Sequence, residues 1–99
     1  MMNANHSAFK WEARVLKSMG SEPRLQIVER LSRGECSVKE LGTIVGSDQS
    51  TVSKHLAVLR TIGIVEDRRE GAMVYYRLAI PSTLNMISCA RQILSARLV

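Results

Sequence analysis

Asp48-Gln49-Ser50-Thr51-Val52-Ser53-Lys54-His55-Leu56-Ala57-Val58-Leu59-Arg60 is the stretch on which the reading of this chain turns. Val52, Leu56 and Leu59 recur at helical spacing, with Ile62 following, and form the apolar ridge of one helix. Ser47-Asp48 offers side-chain acceptors for its start, and Gly63 suits its end. Towards the opposite face, near the N-terminus, lie Gln49, Ser50, Ser53 and Lys54, with His55 beside the ridge. Glutamine can bond adenine at two points, and serine can bond base edges or phosphate. A helix N-terminus adds partial positive charge for a phosphate. An ordinary solvated face has similar residues, so the neighbouring segments must decide between the two readings.

Upstream, Ser37-Val38-Lys39-Glu40 fits the capping-box pattern, and Cys36 and Leu41 occupy the two positions of a hydrophobic staple. Val38, Leu41, Ile44 and Val45 are the expected inner side of a short helix that stops at Gly46. Two helices joined by a few residues around a glycine form a helix-turn-helix. Downstream the period changes. Ile64 to Asp67 and Ala72 to Leu78, with Val74, Tyr75 and Tyr76 as strand formers, predict a hairpin whose tip is Glu70-Gly71. A hairpin in that place is a wing, and it carries Arg68 and Arg69. Before the pair of helices, Ala8, Trp11, Val15 and Met19 mark a first helix, capped by Ser7 and stopped by Gly20. Ser21 and Pro23 open a second, with Leu25, Ile27, Val28 and Leu31 inside and Gly34 at its end. Pro81 marks the last boundary, and Leu84, Ile87, Ala90, Ile93 and Leu94 spread round a final helix. A helix apolar on more than one side needs two partners, its own core and a second subunit.

The expected architecture is therefore mainly α: a winged helix-turn-helix of about five helices plus a two-stranded hairpin. Residues 1–99 read as one domain, with 1–6 flexible and 82–97 as the dimerisation helix. The run Ser50 to Leu59 resembles the recognition helix of the ArsR/SmtB family of winged-helix repressors. Pro23-Arg24-Leu25-Gln26-Ile27-Val28 and the wing runs Arg69-Glu70-Gly71 and Val74-Tyr75-Tyr76-Arg77-Leu78 resemble the same family, in the same order. The resemblance covers roughly residues 8 to 95. It implies a homodimer joined through the first and last helices. It also implies double-stranded DNA as partner, a near-palindromic operator read in successive major grooves. Carried over by position, Gln49, Ser50, Ser53, Lys54 and His55 face the groove, while Arg68 and Arg69 reach backbone or minor groove. Glu66, Asp67 and Glu70 dilute the positive charge of the wing.

The formal charge of +5 favours an anionic partner. Aromatics are 4%, so Leu, Ile, Val, Met and Ala must build the core. No run approaches a membrane span, no secretory leader is visible, and a cytoplasmic protein with reduced thiols is expected. No Ser-His-Asp set, phosphate-binding glycine loop or paired carboxylates suggests an enzyme. The rival binding reading is a winged helix used as a protein-interaction or RNA-binding module. That module has no need of hydroxyls and an amide on the exposed helix face.

The family resemblance also implies a search for effector ligands, commonly thiolate or imidazole. A frequent arsenical signature places two cysteines at the third helix start, where this chain has Ser37 and Lys39, with Cys36 one residue early. A second frequent site uses Asp and His on the last helix, but residues 82–99 contain neither. His6 reads as a solvated tail residue. Cys36 and Cys89 remain. They are either packing residues, Cys89 beside Met86 and Ile93, or sensor thiols. A thiol beside a helix N-terminus tends towards a lowered pKa. As a pair they would bind As(III) or Sb(III), with no required cofactor, or respond to oxidant or persulfide. A repressor with no ligand is the remaining alternative.

Overall fold

The structure, a computed structural model, describes residues 8–98. In chain order it contains α1 (Lys10–Met19), α2 (Glu22–Leu31), β1 (Cys36–Ser37), α3 (Val38–Val45), α4 (Gln49–Ile62), β2 (Val65–Glu70), β3 (Met73–Leu78) and α5 (Leu84–Leu98). A 3₁₀ turn at Pro81–Thr83 leads into α5. Winged helix-turn-helix architecture, as read from the sequence, is what the chain adopts. The core gathers where the inner faces of α2, α3 and α4 meet the hairpin. Ile27, Val28, Leu41, Val52, Leu56 and Leu59 are fully buried there. Each such side chain removed from water contributes roughly 1.5–3 kcal/mol.

Local chemistry fixes the helix-turn-helix. The Ser37 hydroxyl accepts the Glu40 N–H at 3.1 Å and donates to Glu40 Oε1, a cap of the kind that contributes ~1 kcal/mol. Cys36 and Leu41 are both buried, as a staple requires. Gly46 sits at φ +75°, in the left-handed region, and its N–H donates to the Gly42 carbonyl, closing α3. A side chain on Gly42 would stand 3.1 Å from the Ser47 carbonyl oxygen, so a glycine there permits the short turn. Asp48 then caps α4, its Oδ1 accepting the Thr51 N–H at 2.8 Å.

The wing has a third strand that the sequence reading lacks. β1 pairs antiparallel with β3, Cys36 opposite Tyr76 and Ser37 opposite Tyr75, giving the sheet order β1-β3-β2. Two residues are too few to show a period, and only pairing with β3 defines them. The hairpin tip is Gly71-Ala72 rather than Glu70-Gly71, because Glu70 pairs with Met73. Gly71, at φ +60°, occupies the first tip position.

Other boundaries also move. α1 starts at Lys10 after Phe9, and a cap from Ser7 falls outside the described residues, as do the expected flexible residues 1–6 and His6. Ser21 makes no side-chain cap bond; its backbone carbonyl accepts the Leu25 N–H instead. α2 ends at Leu31, short of Gly34. Ile44 is exposed rather than inside. On the expected inner face of α1, Met19 is buried and Val15 half-buried, but Ala8 and Trp11 are exposed. α5 begins at Leu84, not 82, because the Thr83 hydroxyl donates to the Ile80 carbonyl and completes the preceding turn. Ile87 anchors α5 to the core, while Ile93 and Leu94 are more than half exposed.

Candidate nucleic-acid interface

α4 is held by its buried ridge, and that fixes which side chains face outward. Gln49 and Ser53, one turn apart, share a cleft of about 530 Å³ with Arg69 of β2. Lys39 of α3 and Arg60 of α4 line the same cleft, and no carboxylate is among its lining residues. Lys39 and Arg60 were missed by the sequence reading. Arg60 was within reach, since Gln49, Ser53, Ala57 and Arg60 follow one helical stripe. Lys39 was not, because only the packing of α3 beside α4 brings it there. Arg60 is held lightly by Asp67 at 3.4 Å.

The strand alternation sorts the two wing arginines. Arg69 lies on the face shared with buried Tyr76 and opens into the cleft. Arg68 lies on the other face. Its Nη2 meets Glu35 Oε1 at 2.6 Å, its Nε meets Glu35 Oε2 at 3.1 Å, and its Nη1 meets Glu70 at 2.6 Å. The guanidinium also stacks 4.8 Å from the centre of the Tyr75 ring. These hydrogen bonds hold the Glu35 carboxyl below its ordinary range and push Arg68 up. In the free protein Arg68 is therefore a strut between the wing and the segment before β1.

The remaining members of the expected set differ in freedom. The Ser50 hydroxyl donates to Asp48 Oδ1 at 3.1 Å, which leaves its oxygen free to accept. Hydrogen bonds from Thr51 hold the Asp48 carboxyl below its ordinary range. Lys54 is exposed. His55 is half-buried, and its Nδ1 accepts a hydrogen bond from Arg24 Nε at 3.1 Å.

Cys36 and Cys89 are both free thiols in very different settings. Cys36 is 1% exposed, and burial pushes its thiol pKa up. That reverses the lowering expected from its position before a helix, since loss of solvation outweighs the helix end. Cys89 is exposed on α5, so in one subunit it is not a core packing residue. Among the described residues, no group of three or more His, Cys, Asp or Glu is placed to hold a metal.

The sequence that builds this helix-turn-helix has counterparts in known proteins. The family model for bacterial regulatory proteins of the arsR family matches residues 21–67. The biofilm growth-associated repressor of Xylella fastidiosa is 38% identical over 85 residues, covering 86% of this chain and 75% of that protein. The chain belongs to the ArsR family. It is a transcriptional regulator and not an enzyme. The HTH-type transcriptional regulator Rv0324 of Mycobacterium tuberculosis is 43% identical over 67 residues, and there the match spans only 30% of the relative. Among solved structures, the homodimeric winged helix-turn-helix DNA-binding domain Mb0332 of Mycobacterium bovis superposes with a TM-score of 0.80 at 31% identity. That match covers 99% of this ArsR-family chain and 91% of the other. Among the described residues no helix is long and apolar enough to cross a membrane.

Proposed function

We propose that this ArsR-family chain is a cytoplasmic homodimeric repressor that binds a near-palindromic double-stranded DNA operator, with α4 of each subunit in the major groove. The observation that carries this reading is the shared cleft in which Gln49, Ser53 and Arg69 meet with Lys39 and without a carboxylate. Gln49 and Ser53 supply base-edge contacts. Lys39, Lys54 and Arg69 neutralise phosphates, and Ser50 and His55 add hydrogen bonds. Arg68 joins the DNA only by exchanging its glutamate partners for phosphate.

Dimerisation through α1 and α5 is supported by apolar surface that the monomer leaves open. Phe9, Trp11, Leu16, Ile93 and Leu94 are exposed, and Leu16 and Leu94 line a groove of about 470 Å³ between α1, α2 and α5. A dimer that reads successive major grooves needs its two recognition helices about one turn of DNA apart, roughly 34–36 Å. The homodimeric Mb0332 domain is in line with this arrangement.

A thiol-reactive effector, arsenite or antimonite before an oxidant or persulfide, is the second part of the proposal. Exposed Cys89 lies on the helix of the proposed dimer face, so modification there would alter subunit geometry. Buried Cys36 joins in only if the start of α3 opens. The test selects a duplex from a random-sequence library, then follows anisotropy of the reduced protein on it, with and without arsenite. Tight, salt-dependent binding that arsenite weakens supports both parts. Binding that arsenite leaves unchanged removes the arsenite effector and keeps the repressor. A library that yields no preferred duplex overturns the DNA reading in favour of a protein-interaction module.

A further inference from the structure

Arg24 is an α2 residue that the cleft does not include, yet it reaches the recognition helix. Its guanidinium is a rigid fork of donors with no acceptor. One prong, Nη1, donates to the Ser18 carbonyl in the last turn of α1 at 3.2 Å. Another, Nε, donates to His55 Nδ1 at 3.1 Å. Ser18 is itself buried, and its hydroxyl is tied to the Val15 carbonyl, so the anchor is fixed. Arg24 is half-buried between three helices rather than displayed to solvent.

Because Arg24 can only donate, Nδ1 must accept. In a neutral imidazole the one ring proton then sits on Nε2. No described residue bonds Nε2, and no buried side-chain nitrogen or oxygen among the described residues lacks a partner. Nε2 therefore keeps some contact with solvent.

We infer that Arg24 is a positioning residue for DNA recognition, holding His55 as the Nε2–H tautomer so that the imidazole meets DNA as a hydrogen-bond donor. This rests on the proposed reading of α4 as the recognition helix. A donor at that point matches phosphate oxygens, guanine O6 and N7, adenine N7 and thymine O4. It rejects groups that themselves donate, such as the cytosine N4 amine. The same guanidinium ties the end of α1, a proposed dimer helix, to the middle of α4. Arg24 thus sets both what His55 presents and where it stands relative to the subunit interface.

Two measurements on the full chain test this. Long-range nitrogen–proton NMR of the imidazoles reads the His55 tautomer directly, and wild-type protein is expected to carry the proton on Nε2. In Arg24→Met a mixture of both tautomers is expected. A wild-type His55 protonated on Nδ1 overturns the inference, and that result needs no variant to fold. The second measurement is a double-mutant cycle with His55→Ala on a duplex selected from a random library by the wild-type protein. Arg24→Met should lower affinity about 3- to 10-fold, and the loss should vanish in the His55→Ala background. Arg24→Gln serves the same purpose should the Met variant not fold. Fully additive losses show that Arg24 acts on binding independently of His55 and overturn its role through that residue. Failure to select any duplex overturns the DNA-binding reading and this role with it, while a wrong tautomer overturns this role alone.

Discussion

Arg68 grips Glu35 at two points, 2.6 Å and 3.1 Å, and thereby ties β2 of the wing to the segment that leads into α3. Arg68 also lies over the Tyr75 ring, so the charge is bonded along its edge and stacked on its face. An arginine that a linear reading assigns to DNA is thus already engaged within the subunit.

The bridge has a defined pH window. Arg68's hydrogen bonds hold the folded-state pKa of Glu35 below its ordinary 4.5. The contribution of the pair is complete above 4.5 and is lost as pH falls through the lower folded value. The pair is exposed, so the effect on global stability is small. Carboxyl NMR should show Glu35 titrating below its ordinary 4.5, and returning towards it in Arg68→Ala. A Glu35 that titrates at its ordinary value means the bridge does not persist in solution.

Arg69 and Arg68 should separate in a salt titration. Arg69→Ala is expected to weaken binding to a selected duplex and to reduce the slope of log affinity against log salt by about 1. Arg68→Ala should leave that slope nearer the wild-type value. Equal losses of slope would show that Arg68 abandons Glu35 when DNA is bound.

Gln49→Ala and Ser53→Ala probe the recognition face. Each removes a side chain that lines the cleft and makes no intramolecular hydrogen bond among the described residues. Loss of a two-point base contact at Gln49 costs about 1–3 kcal/mol of discrimination, with Ser53 at the lower end. Circular dichroism should stay unchanged. Wild-type affinity in both variants would move the recognition surface elsewhere.

Gly46→Ala tests the turn itself. At φ +75° an alanine pays the left-handed penalty of roughly 1–2 kcal/mol. Nothing lies within 4 Å of the added carbon, so the loss is conformational rather than steric. Urea denaturation should show a lower midpoint with an unchanged slope. An unchanged midpoint would place Gly46 in another conformation in solution.

Thiol labelling of Cys89→Ala, which retains Cys36 alone, reads the burial of that side chain. Cys36 should react at least about 100-fold more slowly in the native protein than in urea, since reaction requires the α3 start to open. Rapid native labelling would restore Cys36 as an accessible sensor thiol.

The linear sequence by itself determined the order of the five helices and the hairpin, and which helix carries a polar outer face. Those features rest on short-range physics: the spacing of Val52, Leu56 and Leu59, the caps at Ser37 and Asp48, and the glycines at 46 and 63 act within a few residues. That Gln49, Ser50, Ser53 and Lys54 turn away from that ridge was legible for the same reason, and all four are exposed. Only the tertiary structure decided which arginine faces the cleft, because that depends on the register of β2 with β3. It alone paired Cys36 with Tyr76, buried that thiol and left Cys89 in the open. It alone brought Arg24 to His55 and Arg68 to Glu35, pairs 31 and 33 residues apart. Such contacts have no local signal, since they come from packing the helices and sheet around a common core.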